Sequence, residues 1–280
     1  MTTSSQEPET SAVITFANVR IGFDEGDVLR GVSFEVKPRE TLVLLGETGT
    51  GKTLTLKLAA GLLQPTQGKI EVLGQEVSSM SEQELLPYRR QVGFVFQEGA
   101  LFDSITVAEN VAYRLREDRM SEEEIEARVR EALHFVELED TGDMLPSELS
   151  GGMRRRVSIA RALAARPPIV LYDSPTGGLD PVTAQTIITL ILRLRDVFGV
   201  TAMLATHRLQ DGFALAKFRF DPESNRVVRL SGREGSVQAK AENGEPATRF
   251  VVYREGRVYF EGAPDELAES KDAYLQRFLV

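Results

Sequence analysis

The chain has 280 residues, 42% of them hydrophobic, enough to bury a core as one large domain or as two lobes. Its formal net charge of -9 argues against a nucleic-acid-binding surface, which is normally basic. With no cysteine and only two histidines, His134 and His207, it lacks the residues for a disulfide framework or a histidine-rich metal site.

In chain order, residues 1–11 (MTTSSQEPETS) are polar, without the basic and apolar segments of a secretory signal, and are expected to form a disordered tail. Val13-Ile14-Thr15-Phe16 and Val32-Ser33-Phe34-Glu35-Val36 carry β-branched and aromatic residues and predict strands, with a turn at Asp24-Glu25-Gly26-Asp27. The apolar run Thr41-Leu42-Val43-Leu44-Leu45 leads directly into Gly46-Glu47-Thr48-Gly49-Thr50-Gly51-Lys52-Thr53, and a helix is expected from Lys52 to Leu63. Gly68–Gly74 predicts a strand, Ser81 with Glu84 the capping box of a short helix, and Val92–Phe96 another buried strand. The stretch from about 98 to 165 reads as mostly helical. There Thr106 with Glu109 and Ser121 with Glu124 are capping boxes, and Ile125, Val129, Ala132 and Val136 share a helix face. His134, beside that face, reads as a filler rather than a ligand.

Ile169–Tyr172 and Val200–Ala205 are short continuous apolar runs, the pattern of strands buried on both faces of a parallel sheet. Between them Asp180-Pro181 starts a helix that runs to about Phe198 and stops at Gly199. Residues 221–248 are polar and read as a surface excursion with a ragged hairpin around Val227-Val228. Phe250–Phe260 predicts a hairpin turning at Glu255-Gly256, and the tail from Pro264 a helical segment with Tyr274, Leu275, Phe278 and Leu279 on one packing face. Strands alternating with helices predict an α/β fold with a mainly parallel sheet, an N-terminal antiparallel β subdomain and an inserted helical lobe, with residues 12–280 forming one domain. No segment reaches the ~20 apolar residues needed to cross a bilayer, so a membrane role would run through a partner.

The GxxxxGKT run at 46–53, set between a strand and a helix, is suited to wrapping a nucleotide's phosphates. Its glycines let the backbone turn so that N–H groups point inward, and the helix adds its positive N-terminal dipole. Gly46, Glu47, Thr48, Gly49, Thr50 and Gly51 would form the cradle, Lys52 would sit on the β- and γ-phosphates, and Thr53 would hold Mg2+. Asp173 ends the Ile169–Tyr172 strand, where a carboxylate is placed to orient Mg2+. Leu149-Ser150-Gly151-Gly152-Met153 opens a helix through Ala165 and offers a second anion site. Arg154-Arg155-Arg156 reads as a solvated helix face beside the phosphates rather than a nucleic-acid patch.

Gly46–Thr53, Gln97 after a strand, LSGGM at 149–153, the strand ending at Asp173, Gly177-Gly178-Leu179-Asp180, and His207 after a strand occur in order. These elements resemble the Walker A, Q-loop, signature, Walker B, D-loop and switch-histidine elements of the ABC transporter ATPases, a P-loop NTPase family, over about residues 12–220. The resemblance implies ATP and Mg2+ as ligands and two copies paired head to tail, Ser150, Gly151 and Gly152 of one clamping the γ-phosphate held by Lys52 of the other. It further implies that Phe23 stacks on adenine, a core Phe being the alternative. Gln97 would touch Mg2+ and the attacking water, His207 the γ-phosphate, and Asp180 would line the dimer seam. The chain departs from the family at Ser174, where a Glu normally polarises that water; a serine is a poor base, and three readings are open: slow turnover assisted by His207 and Gln97, which is expected, a partner ATPase with an intact site doing most of the work, or another carboxylate entering the site.

Phe96–Ser104, Val107–Ala112 and Leu145–Met153 resemble the ATPases of Mla/Mce-type phospholipid transporters, the organic-solvent-resistance systems. That resemblance implies a multi-span permease docked at 98–116 on the cytoplasmic face of the inner membrane, a lipid-binding Mce-type partner, and no nucleic acid. The alternatives are an importer ATPase for amino acids or similar solutes, and a non-transport ABC protein, disfavoured because that class usually shows two cassettes in one chain or a long coiled coil between the motifs, whereas this sequence shows one cassette and a short span between Lys52 and Leu149.

Overall fold

A computed structural model describes residues 12–24, 26–230 and 247–279. The expected tail at 1–11, and residues 231–246 of the polar excursion, lie outside the described residues. Strands β1 (Ile14–Phe23) and β2 (Gly26–Val36) form an antiparallel hairpin, and β4 (Gln67–Val72) and β5 (Gln75–Glu76) extend it into a four-stranded sheet ordered β2-β1-β4-β5. Alternation along β1 and β2 buries Phe16 and Phe34, whose rings stack with centroids 4.6 Å apart, with Ile14, Val32 and Val36.

The central sheet has six strands in the order β12-β11-β3-β8-β7-β6. It comprises β3 (Glu40–Gly46), β6 (Val92–Val95), β7 (Ile169–Asp173), β8 (Thr201–Ala205), β11 (Ala247–Arg254) and β12 (Arg257–Gly262). All pairings are parallel except β11 with β12. Every residue of β3, β7 and β8 is buried, as their unbroken apolar runs require of strands covered on both faces. Successive side chains alternate between two cores. Val43, Leu45, Val170, Tyr172 and Leu204 face one, and Leu42, Leu44, Leu171, Met203 and Tyr253 face the other.

Helix α1 (Lys52–Ala59) follows β3 and stops short of the expected Leu63, because Gly61 adopts a left-handed φ of 65°. Helix α2 (Glu82–Arg89) has its Ser81/Glu84 capping box. The helical lobe starts later than expected. Residues 98–106 form a loop, held by the buried side chain of Asn110, which accepts from Phe102 N (2.8 Å) and donates to the carbonyls of Phe102, Ile105 and Thr106. Helices α3 (Val107–Glu117) and α4 (Glu122–Phe135) carry both predicted capping boxes, and α5 (Gly151–Ala164) packs on each of them. Ile125, Val129, Ala132 and Val136 are buried, while the exposed His134 pairs with Glu139 (2.6 Å).

Helix α6 (Pro181–Phe198) starts at the Asp180 cap and ends at Gly199, φ 62°. Among the described residues no helix is long and apolar enough to cross a membrane. After β8 come α7 (Leu209–Lys217) and a hairpin of β9 (Phe218–Asp221) with β10 (Arg226–Arg229), which contains Val227-Val228. The expected 250–260 hairpin is the β11–β12 pair, but β11 is also a full member of the central sheet. It runs parallel to β3 from Ala247↔Glu40 to Tyr253↔Gly46 and is pinned there by an ion pair between the half-buried Arg249 and the buried Glu40 (2.6 Å). Helices α8 (Pro264–Glu269) and α9 (Ala273–Leu279) close the chain, with Leu267 and Leu275 buried and Tyr274, Phe278 and Leu279 packed beside them.

Candidate functional site

Parallel strands β3, β6, β7 and β8 all end at one edge of the central sheet, so the loops that follow them converge there. That edge receives Gly46–Thr53, Gln97, Asp173–Ser174 and Thr206–His207. The turn after β3 depends on two glycines. At Gly51 (φ 101°) a Cβ would lie 2.2 Å from Leu29 Cδ2, and at Gly46 (φ 150°) it would lie 3.0 Å from the Tyr253 carbonyl oxygen. Strand β11 therefore forms one wall of the turn, through a residue that the sequence reading did not single out. The Tyr253 hydroxyl also meets Thr55 Oγ1 at 3.1 Å behind the loop.

Lys52 folds over the turn, and its Nζ donates to the carbonyls of Gly46 (2.8 Å) and Glu47 (2.7 Å). Burial pushes its ammonium below the usual lysine range, opposed by the charge of Asp173. Thr53 donates its hydroxyl proton to Asp173 Oδ1 (2.9 Å). Asp173 is 6% exposed, and burial raises its carboxyl above the ordinary range, against the Thr53 hydrogen bond and the charges of Lys57, Lys52 and Arg155. Glu47 and Thr48 are exposed, Glu47 pairing with Arg277 of α9 (2.9 Å), and Thr50 donates to the Glu47 carbonyl (2.8 Å).

This donor set fits a triphosphate with Mg2+. An ammonium and a glycine-shaped backbone turn face the same edge as one hydroxyl and one carboxylate. Among the described residues no three His, Cys, Asp or Glu side chains gather into a metal site. A hydroxyl with a single carboxylate suits a cation that keeps water and phosphate oxygens in most of its shell.

Gln97 is exposed after Phe96, with its amide nitrogen 3.8 Å from where a Cβ on Gly177 would stand. Ser174 sits at φ 46°; its N–H donates to the Ala205 carbonyl (2.8 Å) and its carbonyl accepts from Gly177 N (3.0 Å). His207 is exposed one residue beyond the buried Thr206. Phe23, at the tip of the β1–β2 hairpin, is 58% exposed, which removes the alternative that it fills the core. Asp180 spends its carboxylate on its own helix, accepting from the N–H groups of Val182 and Thr183 (3.0 Å each) and the Thr183 hydroxyl (2.6 Å). These bonds hold it below the usual carboxylate range. Ser150 caps α5 by accepting from Met153 N (3.2 Å), and Gly152 lies against Thr183, where a Cβ would meet its Cγ2 at 2.4 Å. Among the described residues no hydrogen bond joins Ser150–Gly152 to Gly46–Thr53 within the chain.

The arginine run is not the solvated face expected of it. Arg155 is 5% exposed, and its guanidinium donates to the carbonyls of Phe96 (3.4 Å), Ser174 (3.2 Å) and Gly177 (3.3 Å). Arg154 donates to the Leu149 carbonyl (2.6 Å), and Arg156 to those of Val136 (3.0 Å) and Glu137 (3.2 Å). Helix α5 runs where several loops turn, and the planar five-donor fork satisfies carbonyls that those loops leave unpaired. A second group escaped the sequence reading. Buried Asp211 accepts from the hydroxyls of Thr176 and Thr206 and lies 3.8 Å from the Arg208 guanidinium. Its only signal in the sequence was an acid one helical turn beyond His207.

The family model for ABC transporters matches residues 29–177, more than half of the chain. The chain belongs to the ABC transporter family. It is 39% identical over 208 residues to the methionine import ATP-binding protein MetN of Brucella abortus, covering 74% of this chain and 56% of that protein. It is 36% identical over 247 residues to the sulfate/thiosulfate import ATP-binding protein CysA of Synechococcus elongatus, covering 88% and 68%. A dimeric ATP-binding cassette solved in a post-hydrolysis state with ADP and Pi superposes on this ABC chain with a TM-score of 0.72 at 29% identity, covering 89% and 98%. The chain thus spans little more than half the length of the Brucella abortus methionine-import protein.

Proposed function

We propose that the chain is the ATP-binding and ATP-hydrolysing subunit of an ABC importer for an amino acid or another small solute. The observation that carries this reading is its likeness to methionine and sulfate/thiosulfate import ATPases. Those relatives support the small-solute alternative over the phospholipid, Mla/Mce-type reading, and leave a lipid-binding Mce-type partner without support. They likewise favour transport over a non-transport role.

In this reading the Gly46–Gly51 backbone and Lys52 hold the triphosphate, and Phe23 offers an open ring to the adenine. Thr53 and Asp173, with Gln97 beside them, would hold Mg2+, which when bound neutralises charge that builds between the β- and γ-phosphates. His207 stands at the same edge to orient the terminal phosphate. Ser174 cannot take a proton from water near neutral pH, so turnover is slow. Ser150, Gly151 and Gly152 act on the nucleotide of a second copy paired head to tail, with Asp180 and its capped helix at the seam. The exposed Phe102 and Tyr113, 4.7 Å apart by ring centroid on the 98–116 segment, support that segment as the seat of a multi-span permease. The chain would then be peripheral, held at the cytoplasmic face of the inner membrane through that permease.

Affinity purification from detergent-solubilised membranes tests the reading. A permease co-purifying with a solute-binding protein is expected. A permease with a lipid-binding Mce-type partner would restore the phospholipid reading, and ribosomes or DNA would overturn both.

A further inference from the structure

The two loops that follow β7 and β8 share one carboxylate oxygen. Asp211 Oδ2 accepts from the Thr176 hydroxyl on the first loop and from the Thr206 hydroxyl (3.2 Å) on the second. Thr176 and Thr206 are at most 1% exposed and Asp211 is 4% exposed, so water cannot stand in for either donor. Each loop is fixed on its other side as well. Thr206 N donates to the Leu44 carbonyl (3.1 Å), and Arg208 N donates to Thr206 Oγ1 (3.0 Å). These two bonds constrain the residues flanking His207 while leaving its ring exposed. The Thr176 loop is held by Arg155 through the carbonyls of Ser174 and Gly177. A buried carboxylate is costly to desolvate, and burial does push the Asp211 carboxyl up. Two neighbouring hydroxyls and the Arg208 guanidinium offset that cost only while both loops keep this arrangement.

We propose that Asp211 is a positioning residue for ATP hydrolysis, its carboxylate bridging Thr176 and Thr206 so that the Ser174 loop and the His207 loop hold one fixed spacing. The proposal rests on the ATPase reading above. Asp211 itself touches no nucleotide; it acts through His207 and the backbone of Ser174.

The test uses the full purified chain and follows MgATP binding, single-turnover phosphate release, which reads slow cleavage, and steady-state kcat and KM. Thr176→Val keeps the volume of the side chain and removes the donor, and Asp211→Asn keeps the shape and removes the charge. Each is expected to lower the cleavage rate by about tenfold or more, the scale of one buried charge-assisted hydrogen bond, with KM within about twofold of the parent. The Thr176→Val/Asp211→Asn double variant should be no slower than the worse single one, because both remove the same bridge. Thr176→Ser should restore most of the rate. Should Asp211→Asn fail to fold, Thr206→Val interrogates the same bridge from its other end. Unchanged rates, multiplying losses in the double variant, or losses confined to KM would overturn the proposal while leaving an ATP-cleaving parent intact. A parent chain that neither binds nor cleaves MgATP would overturn the ATPase reading, and this proposal with it.

Discussion

The Thr53 hydroxyl donates to Asp173 Oδ1 across 2.9 Å, joining the first turn of α1 to the end of β7. The bond brings the last residues of the glycine turn against a carboxylate that the sheet has already buried. Because burial raises the Asp173 carboxyl, the folded chain holds its proton to higher pH than the unfolded chain, whose aspartates titrate near ~3.9. Between those two values the folded state binds more protons, so this group's contribution to stability falls as pH rises, and at neutral pH its ionised form is a net cost. Asp173→Asn should therefore unfold at higher urea than the parent at pH 7 without nucleotide, while losing the Mg2+ dependence of nucleotide binding. A less stable Asn variant would contradict this account of the site.

Arg155 connects three backbone carbonyls from two loops. Arg155→Ala should cost about 3 kcal/mol in urea unfolding, since it strands buried carbonyls and removes a charge-assisted fork. Arg155→Lys should recover only part of the loss, because an ammonium cannot span the three acceptors as the guanidinium does. Full recovery by lysine would reduce the role of Arg155 to its charge alone.

Ser174→Glu introduces the carboxylate that the family normally carries at this position. If a missing base limits turnover, phosphate release from MgATP should rise by about a hundredfold in this variant, the low end of what a positioned base contributes. An unchanged rate would mean that another group already polarises the water.

Local chemistry made much of this molecule legible. The Thr106/Glu109 and Ser121/Glu124 boxes mark helix starts because each motif is satisfied within one turn of chain. The unbroken apolar runs of β7 and β8 can only be buried on both faces, and Gly46–Thr53 carries its turn geometry in its own glycines. What stayed hidden depended on partners distant in sequence. Phe250–Val252 reads as half of a hairpin because the turn at Glu255-Gly256 is adjacent, whereas its pairing with Val43–Leu45 comes from the far end of the chain. Arg155 reads as solvated because nothing nearby in sequence announces the carbonyls of Ser174 and Gly177. Phe23 is placed at the surface by the hairpin tip that carries it, and Asp211 takes its role from Thr176 and Thr206, which lie on two loops separate in sequence.

The central claim is that the turn closed by Lys52 grips a triphosphate, and thermal unfolding with and without MgATP tests it most directly. At about 100 times its dissociation constant MgATP should stabilise the parent chain by ~2.7 kcal/mol, read as a rise in Tm, and Lys52→Ala should lose most of that rise while folding normally without nucleotide. A parent whose Tm ignores MgATP, or a Lys52→Ala variant that gains as much from it as the parent, would contradict the account.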